Sequence, residues 1–394
     1  MKLIDITGKA ISGEWGNDCE DGNGIPVLRT TNFTDTGVIN FANVVLRDIP
    51  TKDLSKKFLR PGDIIIEKSG GSDTKPVGRV VYFDSEENKY LINNFTGLLR
   101  VVDQTKWYPR YVFYALFANY SFGGTRQYEN KTTGLHNLKL DQYLNSFDIP
   151  DVDFQLQHHI ADTLDKVSEG IEVCRKMLGK LDLMVKAKFV EMFGTLPANE
   201  LGWSTGTIRD CITEVRYGSS RKAAEGDKGQ YPYLRMNNIT YDGELDLTDI
   251  KSIDIPDDEL DKCSVRRGDV LFNRTNSREL VGKTCVYNRD ELMVLAGFVV
   301  RVRVNERMLP EFLSAFMNST LTKRLLLSMC KTAIGQANIN AQEFQNIEIY
   351  IPPITLQREF VDLKEQIDKS KLTVQRIRDK MEMEKLALMQ EYFK

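Results

Sequence analysis

The sequence predicts a mixed α/β fold of the α+β type, with two tandem globular domains separated by two long helices. The helices are expected to pair as an antiparallel intramolecular coiled coil, which would give the chain pseudo-twofold symmetry. Three observations lead to this prediction: the chain length, an internal repeat, and two helical segments with matching heptad patterns. At 394 residues the chain exceeds what one hydrophobic core usually holds, so at least two domains are expected.

The composition is typical of a folded, soluble chain. Hydrophobic residues make up 41% and charged residues 28% of the sequence, which does not fit wholesale disorder. No apolar run approaches the roughly 18 residues that a membrane span needs, and the first residues lack the apolar core of a signal peptide. We therefore expect a cytoplasmic protein without a membrane partner. The net charge of −3 indicates neither a nucleic-acid nor a membrane partner, so only local charge can do so.

Cysteine and histidine patterns argue against metal and disulfide chemistry. The six cysteines are scattered without a Cys-x-x-Cys pair, and the three histidines show no His-x-x-x-His spacing. Zinc sites and disulfide frameworks need such clusters. The sequence predicts buried free thiols, no metal site and no cofactor held by this chain.

Self-comparison shows that the chain is a tandem repeat, which fixes the architecture before any motif is trusted. The matching segments keep one order while their offset shrinks from 206 residues (Pro26 to Pro232) to 200 (Gln157 to Gln357). The matches are Ile25–Phe33 with Tyr231–Ile239, Leu59–Ile65 with Val265–Leu271, Thr133–Leu138 with Ile334–Ile339, and Leu156-Gln157 with Leu356-Gln357.

Both copies follow the same order of elements. Short β-type runs come first, at 63–67 and 79–83 in one copy and at 269–273 and 284–287 in the other. A helix that begins at a proline follows, at 109–119 and 310–329, since proline suits the first helical turn. An Ile-Pro dipeptide then precedes a long helix. The predicted boundaries are 1–152 for the first globular domain, 153–194 for the first helix, 195–353 for the second globular domain and 354–394 for the second helix.

The two long helices carry heptad patterns. Apolar positions alternate in spacing between four and three residues, as in a coiled-coil seam. The first seam consists of Ile160, Leu164, Val167, Ile171, Cys174, Leu178, Leu181 and Val185. The second consists of Phe360, Leu363, Ile367, Ser370, Val374, Ile377 and Met381. One such stripe alone would fit an ordinary core face, but two of matching length and phase favour pairing with each other.

The connectivity gives the pair a geometric consequence. If the helices run antiparallel, the second returns to the first domain and the two domains lie at opposite ends of a rod. A helix of about 40 residues is roughly 60 Å long, which corresponds to about 18 base pairs of duplex DNA. The sequence therefore predicts two similar heads at a fixed separation.

Local charge is compatible with a nucleic-acid partner. Between Arg266 and Arg303 eight bases stand against four acids, and Arg126–Thr133 is rich in basic and amide side chains. Such residues can track phosphates and contact base edges. A solvated face with salt bridges, or ordinary turn chemistry, is the alternative for each of them.

The segments that resemble catalytic motifs each lack a residue or spacing that the motif requires. Ser277–Thr284 resembles a phosphate-binding loop but lacks its first glycine. Asp63 with Glu87-Asn88-Lys89 has only loose nuclease spacing, and the second copy has no counterpart. The chain also lacks an Asn-Pro-Pro-aromatic methyltransferase signature. We therefore expect a non-enzyme.

The duplicated motifs resemble the DNA-specificity subunit of type I restriction-modification systems. They are the opening at Ile25–Arg29 and Tyr231–Arg235, Gly62-Asp63-Ile64 and Gly268-Asp269-Val270, Gly134–Leu138 and Gly335–Ile339, and the helix start at Ile351–Gln357. The resemblance spans the chain, and the duplicated order carries it. The first copy departs at Leu135-His136, where glutamine is usual, and at Asp151, which replaces proline.

The resemblance implies that each domain is a target recognition domain reading one half of a bipartite, asymmetric site in double-stranded DNA. It implies that the helices fix the gap and bind two methyltransferase subunits, which carry S-adenosylmethionine, and that restriction/translocase subunits, which use ATP and Mg, join them. The expected DNA contacts are Arg29, Asn32, Lys68, Ser69, Lys131, Thr132, Arg235, Asn238, Asn273, Arg274, Thr275, Arg278, Lys331 and Gln336. A self-sufficient enzyme and a coiled-coil scaffold with protein partners alone remain the alternatives.

Overall fold

A computed structural model of the chain describes residues 1–50, 53–132, 135–195, 198–224, 228–330 and 337–394. The chain forms two compact units. Unit 1 contains Met1–Arg175 and Gln375–Lys394, and unit 2 contains Lys176–Val374. Helices and strands are numbered here in chain order.

The first half of the chain holds four helices and eleven strands within the described ranges. They are α1 (Leu3–Thr7), β1 (Ile11–Ser12), β2 (Asn17–Asp18), β3 (Ile25–Leu28), β4 (Val45–Asp48), β5 (Ile64–Glu67), β6 (Ser69–Gly70), β7 (Val80–Tyr82), β8 (Leu91–Ile92), β9 (Thr96–Leu99), α2 (Pro109–Ser121), β10 (Glu129–Thr132), β11 (Leu135–Leu138), α3 (Leu140–Ser146) and α4 (Phe154–Phe193).

The second half repeats this order with small additions. Its elements are β12 (Ser204–Thr207), β13 (Ile212–Tyr217), β14 (Tyr231–Leu234), β15 (Lys251–Ile253), α5 (Asp257–Cys263), β16 (Ser264–Val265), β17 (Val270–Asn273), β18 (Thr275–Asn276), β19 (Thr284–Val286), β20 (Met293–Leu295), β21 (Val299–Val304), α6 (Pro310–Asn318), α7 (Thr320–Met329), β22 (Ala337–Asn338), α8 (Ala341–Gln345), β23 (Glu348–Ile351) and α9 (Ile354–Phe393).

The two units share most of their sheet topology. One four-stranded sheet has the order β1-β9-β5-β7 in unit 1 and β13-β21-β17-β19 in unit 2. A second four-stranded sheet in each unit contains an equivalent parallel pair, β3 with β8 in unit 1 and β14 with β20 in unit 2. Each unit also has a small sheet, β10-β11-β6 in unit 1 and β18-β22 in unit 2, and unit 2 contains the further pair β12–β23. The predicted tandem, mixed α/β fold is confirmed.

The repeated Gly-Asp motif closes an equivalent turn in each unit. Asp63 is 2% and Asp269 1% exposed, and each carboxylate accepts the backbone N–H three residues earlier, that of Arg60 (2.8 Å) and Arg266 (2.9 Å). A buried carboxylate needs a cationic partner. Arg100 supplies it in unit 1, with two nitrogens at 2.7 Å, and Arg303 supplies it in unit 2 at 2.8 Å. Asp63, weighed above as a nuclease residue, is thus held in an internal ion pair.

The proline-initiated helices occur as predicted, with one difference. Pro109 opens α2 and Pro310 opens α6. The segment predicted as one helix over 310–329 is two helices, broken at Ser319. The extended backbone of Ser319 ends α6, and its hydroxyl accepts the Thr322 N–H to cap α7. Serine favours such a cap because its side chain satisfies a free helical N–H.

Helices α4 and α9 are each 40 residues long, as predicted, and they pack against each other in both units. In unit 2, Lys371 pairs with Asp182 at 2.7 Å, and the rings of Phe360 and Phe189 lie 5.3 Å apart. Residue numbers rise along α4 from Asp182 to Phe189 while those of their α9 partners fall from Lys371 to Phe360, so these two segments are antiparallel. In unit 1, Gly170 faces Met381.

Most of the predicted seam is covered. Ile160, Leu164, Ile171 and Cys174 of α4 are buried, as are Phe360, Ile367 and Val374 of α9. Half-buried positions complete this part of the seam: Val167, Leu178, Leu181, Val185, Leu363 and Met381. The α4 seam also continues beyond its predicted end, through Phe189 and Phe193.

The seam prediction is wrong at two positions of α9. Ile377 is 49% exposed, and Ser370 is exposed. The covered positions are instead Lys371 and Arg378, which belong to a seven-residue series with Lys364 and Lys385; all four are half-buried. Long cationic side chains can cover apolar surface with their stems while the charged end finds a partner. A pattern read from apolar residues alone misses this.

No helix in the described part of the chain has the length and apolar character needed to cross a membrane.

Candidate nucleic-acid interface

The first predicted contact residues form the same turn in both units. The Asn32 side chain accepts the Arg29 N–H (2.9 Å) and donates to the Asn40 carbonyl (2.9 Å). Asn238 does the same with the Arg235 N–H (2.8 Å) and the Asp246 carbonyl (2.8 Å). Both asparagines are 2% exposed. Their amides thus shape the loop, while a DNA contact by either one stays a prediction.

The two arginines of this turn are half-buried and partly engaged. Arg29 donates through Nη2 to the Asn43 carbonyl at 3.2 Å. Arg235 forms an ion pair with Asp249 at 2.8 Å. Its guanidinium charge is therefore already paired, whereas Arg29 makes no ion pair with any residue the structure describes.

The small sheet brings a second group of predicted residues to one edge in each unit. In unit 1, Ser69 pairs with Asn137 across the β6–β11 ladder, and its hydroxyl donates to the Asn137 side chain at 2.6 Å. In unit 2, Thr275 pairs with Asn338 across β18–β22. A basic residue precedes each strand, Lys68 in unit 1 and Arg274 in unit 2. The edge therefore carries a cation, a hydroxyl and an amide in both copies.

The cations hold equivalent backbone positions. The Lys68 carbonyl accepts the Leu138 N–H at 2.8 Å, and the Arg274 carbonyl accepts the Ile339 N–H at 2.9 Å. Burial lowers the pKa of the Lys68 ammonium, which makes no ion pair with a described residue. Loss of hydration without a protein partner is the state in which a phosphate or base acceptor would bind most favourably.

Arg274 is oriented by an aromatic ring. Its guanidinium carbon lies 4.9 Å from the centroid of Tyr217, and Nη2 donates to the Asn338 side chain at 3.2 Å. A guanidinium is planar, and the contact with the ring restrains its orientation, which suits paired contacts to a base edge or a phosphate. Tyr217, 46% exposed, was not predicted as a site residue.

The remaining predicted residues differ in exposure. Asn273 and Thr275 are buried. The side-chain oxygen of Asn273, Oδ1, accepts the backbone N–H of Thr275 at 3.2 Å. Arg278 is exposed on the turn that follows β18. Lys131 and Thr132 lie in β10 opposite His136 and Leu135, and their side chains are outside the described part of the structure. Lys331 and Gln336 lie outside the described residues altogether.

The resemblance to a phosphate-binding loop has a structural explanation. Lys283, from the loop that resembled a phosphate-binding motif, is 6% exposed and donates to the Met236 carbonyl at 2.8 Å. Gly282 beside it has a φ of +79°, which accounts for the glycine. Within the described ranges, no group of three His, Cys, Asp or Glu side chains is arranged to hold a metal ion.

Comparison with known proteins shows which proteins this chain resembles. Residues 200–383 match the family model described as type I restriction modification DNA specificity domain. The type I restriction enzyme EcoKI specificity subunit of Escherichia coli (strain K12) is 24% identical over 369 residues, which cover 87% of this chain and 75% of that protein. The chain is thus similar to the specificity subunits of type I restriction-modification systems, with the matched DNA specificity domain in its second half. The resemblance predicted from the sequence is confirmed.

Other proteins similar to this chain are also named as components of type I restriction-modification systems. The putative type I restriction enzyme MjaX specificity subunit of Methanocaldococcus jannaschii is 26% identical over 169 residues, or 42% of this chain and 39% of that protein. A solved structure concerning complex assembly and conformational transition of the type I R-M system has a TM-score of 0.58 at 15% identity, covering 100% of this chain and 97% of that one. The crystal structure of the type I restriction-modification system S subunit from M. genitalium has a TM-score of 0.55 at 13% identity, with 100% and 95% covered. At these identities the structures support the fold of the specificity subunit.

Proposed function

We propose that this specificity subunit reads a bipartite, asymmetric DNA site, with the domain at 1–152 reading one half and the domain at 195–353 the other. One observation carries the proposal: the same framework occurs twice, with different side chains at equivalent edge positions. Lys68 and Ser69 in unit 1 correspond to Arg274 and Thr275 in unit 2. Different donors and acceptors on one framework favour two different half-sites.

The edge residues divide by chemistry. Arg274 has a planar donor set held by Tyr217 and is proposed to contact a base edge. Lys68 and the exposed Arg278 are proposed to contact phosphates. Such contacts fix the register of the protein on the duplex and carry no sequence information. Arg29 and Arg235 are proposed to act beside them. Lys131, Thr132, Lys331 and Gln336 remain proposed contacts on the grounds of their residue types alone.

The helices at 153–194 and 354–394 are proposed to fix the gap between half-sites and to bind two methyltransferase subunits. Apolar side chains remain exposed at equivalent positions of both helices, 200 residues apart. They include Leu183 (66%) with Met383 (69%), and Met177 (46%) with Ile377 (49%). Exposed apolar positions repeated on a helix are typical of a protein interface, and two equal sets fit two identical partners.

The chain is proposed to be non-catalytic. The adenine-N6 methylation of the assembled complex would then come from methyltransferase subunits carrying S-adenosylmethionine, and cleavage from restriction subunits using ATP and Mg. S-adenosylmethionine binding or nuclease activity by the isolated chain would contradict this assignment.

Co-expression with a methyltransferase subunit of the same system tests the proposal. Adenine methylation would be mapped across a host genome that otherwise lacks it. The expected result is one split motif with two different halves and a fixed unspecified gap. A contiguous or palindromic motif would refute the bipartite reading, and a stable complex without methylation or sequence-selective binding would favour the protein-only scaffold.

Unit-specific variants sharpen the test. Lys68→Ala is expected to weaken methylation at all sites alike, whereas Arg274→Ala should relax one position of the second half-site, by about 1 to 3 kcal/mol. Arg216→Ala serves as the control, because Arg216 is an exposed base bound to Glu214. If Arg274→Ala changes no position of the motif, the edge of the small sheet is not the reading surface.

A further inference from the structure

Each unit exposes one phenylalanine on the turn beside its basic edge residue. In unit 1, Phe95 lies between β8 and β9 and is 55% exposed. Its carbonyl accepts the backbone N–H groups of Lys68 at 2.8 Å and Ser69 at 3.2 Å. The ring and the cation of the predicted DNA-binding edge therefore leave the backbone at adjacent points.

Unit 2 repeats the arrangement. Phe298 lies between β20 and β21 and is 50% exposed, and its carbonyl accepts the Arg274 N–H at 3.0 Å. The next residue of the turn pairs with the same strand in both units: Thr96 lies opposite Glu67, and Val299 lies opposite Asn273. Phe95 and Phe298 are thus equivalent residues, although the segments around them, Asn93–Gly97 and Ala296–Val300, differ in sequence.

Both turns are held firmly. The residue two before each phenylalanine donates to a neighbouring strand, Asn93 to the Leu28 carbonyl at 3.0 Å and Ala296 to the Leu234 carbonyl at 2.8 Å. The residue after it closes the turn, Thr96 to Asn93 at 3.2 Å and Val299 to Ala296 at 2.9 Å. A turn that is already ordered loses little conformational entropy on binding. An exposed ring on such a turn is therefore preorganised for contact.

We infer that Phe95 and Phe298 make the apolar base contact of each half-site, packing against the C5-methyl group of a thymine in the major groove. This inference rests on the proposed function. The cation and the amide at the same edge supply polar contacts, and the thymine methyl is the one apolar feature that the groove presents for readout. An aromatic ring beside a cation matches that mixed surface. The equivalence of the two rings gives both recognition domains the same type of contact.

Exposure decides between the ways a ring can meet DNA. A residue that inserts between base pairs must free both faces of its ring, as the apolar wedges of minor-groove proteins do. About half of each phenylalanine is already covered by the protein. Contact through one side with a groove-facing methyl group needs no rearrangement, so the structure favours packing on a base edge over insertion.

The experiment uses the complex of the full chain with its methyltransferase subunit and duplexes carrying the mapped site. Each thymine is replaced in turn by uracil, which removes only the methyl group. The wild-type complex is expected to lose a factor of about four in affinity at one thymine of each half-site, the contribution of one buried methyl group. Phe95→Ala should weaken binding roughly tenfold and abolish the uracil effect in its own half-site alone, and Phe298→Ala should do so in the other.

Matched controls are available in both units. Phe41→Ala in unit 1 and Tyr241→Ala in unit 2 remove aromatic rings that are 39% and 51% exposed elsewhere on the surface, and neither should alter the uracil scan. The inference fails if Phe95→Ala behaves like Phe41→Ala, if a half-site contains no A·T pair, or if the variants reduce DNA bending while the uracil effect persists, which indicates insertion. If the wild-type complex shows no sequence-selective binding, the proposed function itself has failed.

Discussion

The junction between each globular domain and its long helix contains one buried glutamine. Gln157 is 1% and Gln357 0% exposed. The Gln157 side chain accepts the Tyr108 N–H at 2.9 Å and donates to the Lys106 and Val152 carbonyls at 3.0 Å. Gln357 makes the same three bonds with Leu309, Arg307 and Pro352, at 2.9, 3.0 and 2.9 Å. The amide therefore ties the start of α2 or α6 to the first turn of α4 or α9.

Gln157→Leu keeps the side-chain volume but removes all three bonds. Each is worth about 1 kcal/mol, and the backbone groups left buried without partners add to the cost, so we expect a loss of roughly 3 kcal/mol in local stability. A loss of that size lowers amide protection about a hundredfold. Hydrogen exchange followed by mass spectrometry should show it in the peptide containing Tyr108, and Gln357→Leu should show it in the peptide containing Leu309.

The matched controls are Gln155→Leu and Gln366→Leu, because both glutamines are exposed on the same two helices. They should leave protection within about twofold, as surface substitutions usually do. The reasoning is refuted if Gln157→Leu lowers protection at Tyr108 less than threefold, or if it affects the Leu309 peptide equally.

Three further predictions follow from the packing. Asp63→Ala removes one partner of a buried ion pair with Arg100 and should cost roughly 3 to 5 kcal/mol in chemical denaturation; exposed Asp53→Ala should cost little. Burial, and secondarily Arg110, lower the pKa of Lys385 to about 8. Between pH 8 and 10.5 the unfolded state then binds more protons, so this group makes stability rise with pH; the stability difference between Lys385→Met and wild type should shrink over that window, and a constant difference would contradict the prediction. Leu183→Glu and Met383→Glu should each reduce co-purification of the methyltransferase subunit at least several-fold, and Val102→Glu, at another exposed apolar position, should not; equal recovery with all three would argue against the helices as the docking surface.

Much of this fold is predictable from the sequence because the residues that begin its helices and turns act locally and occur in both copies. Pro109 and Pro310 mark helix starts, and the strands at Ile64–Glu67 and Val270–Asn273 follow a Gly-Asp turn. Each signal acts within a few residues, and a second copy confirms it. The break at Ser319 has no such support, because the first copy continues as a single helix over Pro109–Ser121.

The site is less predictable because it depends on which side chains the fold buries. Asn32 and Asn238 have the residue type expected of a base contact, yet both close a turn through their amides. Lys371 reads as a surface residue but lies in the helix seam with Asp182. Phe95 and Phe298 read as core residues and are half-exposed. These outcomes are set by long-range packing, which residue type and periodicity do not encode.

The two copies divide their residues between framework and edge. Asp63 with Asp269, Asn32 with Asn238 and Gln157 with Gln357 are identical pairs, and all six are buried with internal hydrogen bonds. The edge pairs differ, with Lys68 against Arg274 and Ser69 against Thr275. Because the bonds that close the turns belong to the framework, changing an edge side chain leaves every one of them intact. Under the proposed function, such a protein can acquire a new half-site specificity at little cost in stability, because the edge side chains proposed to contact DNA are not the ones that close the turns.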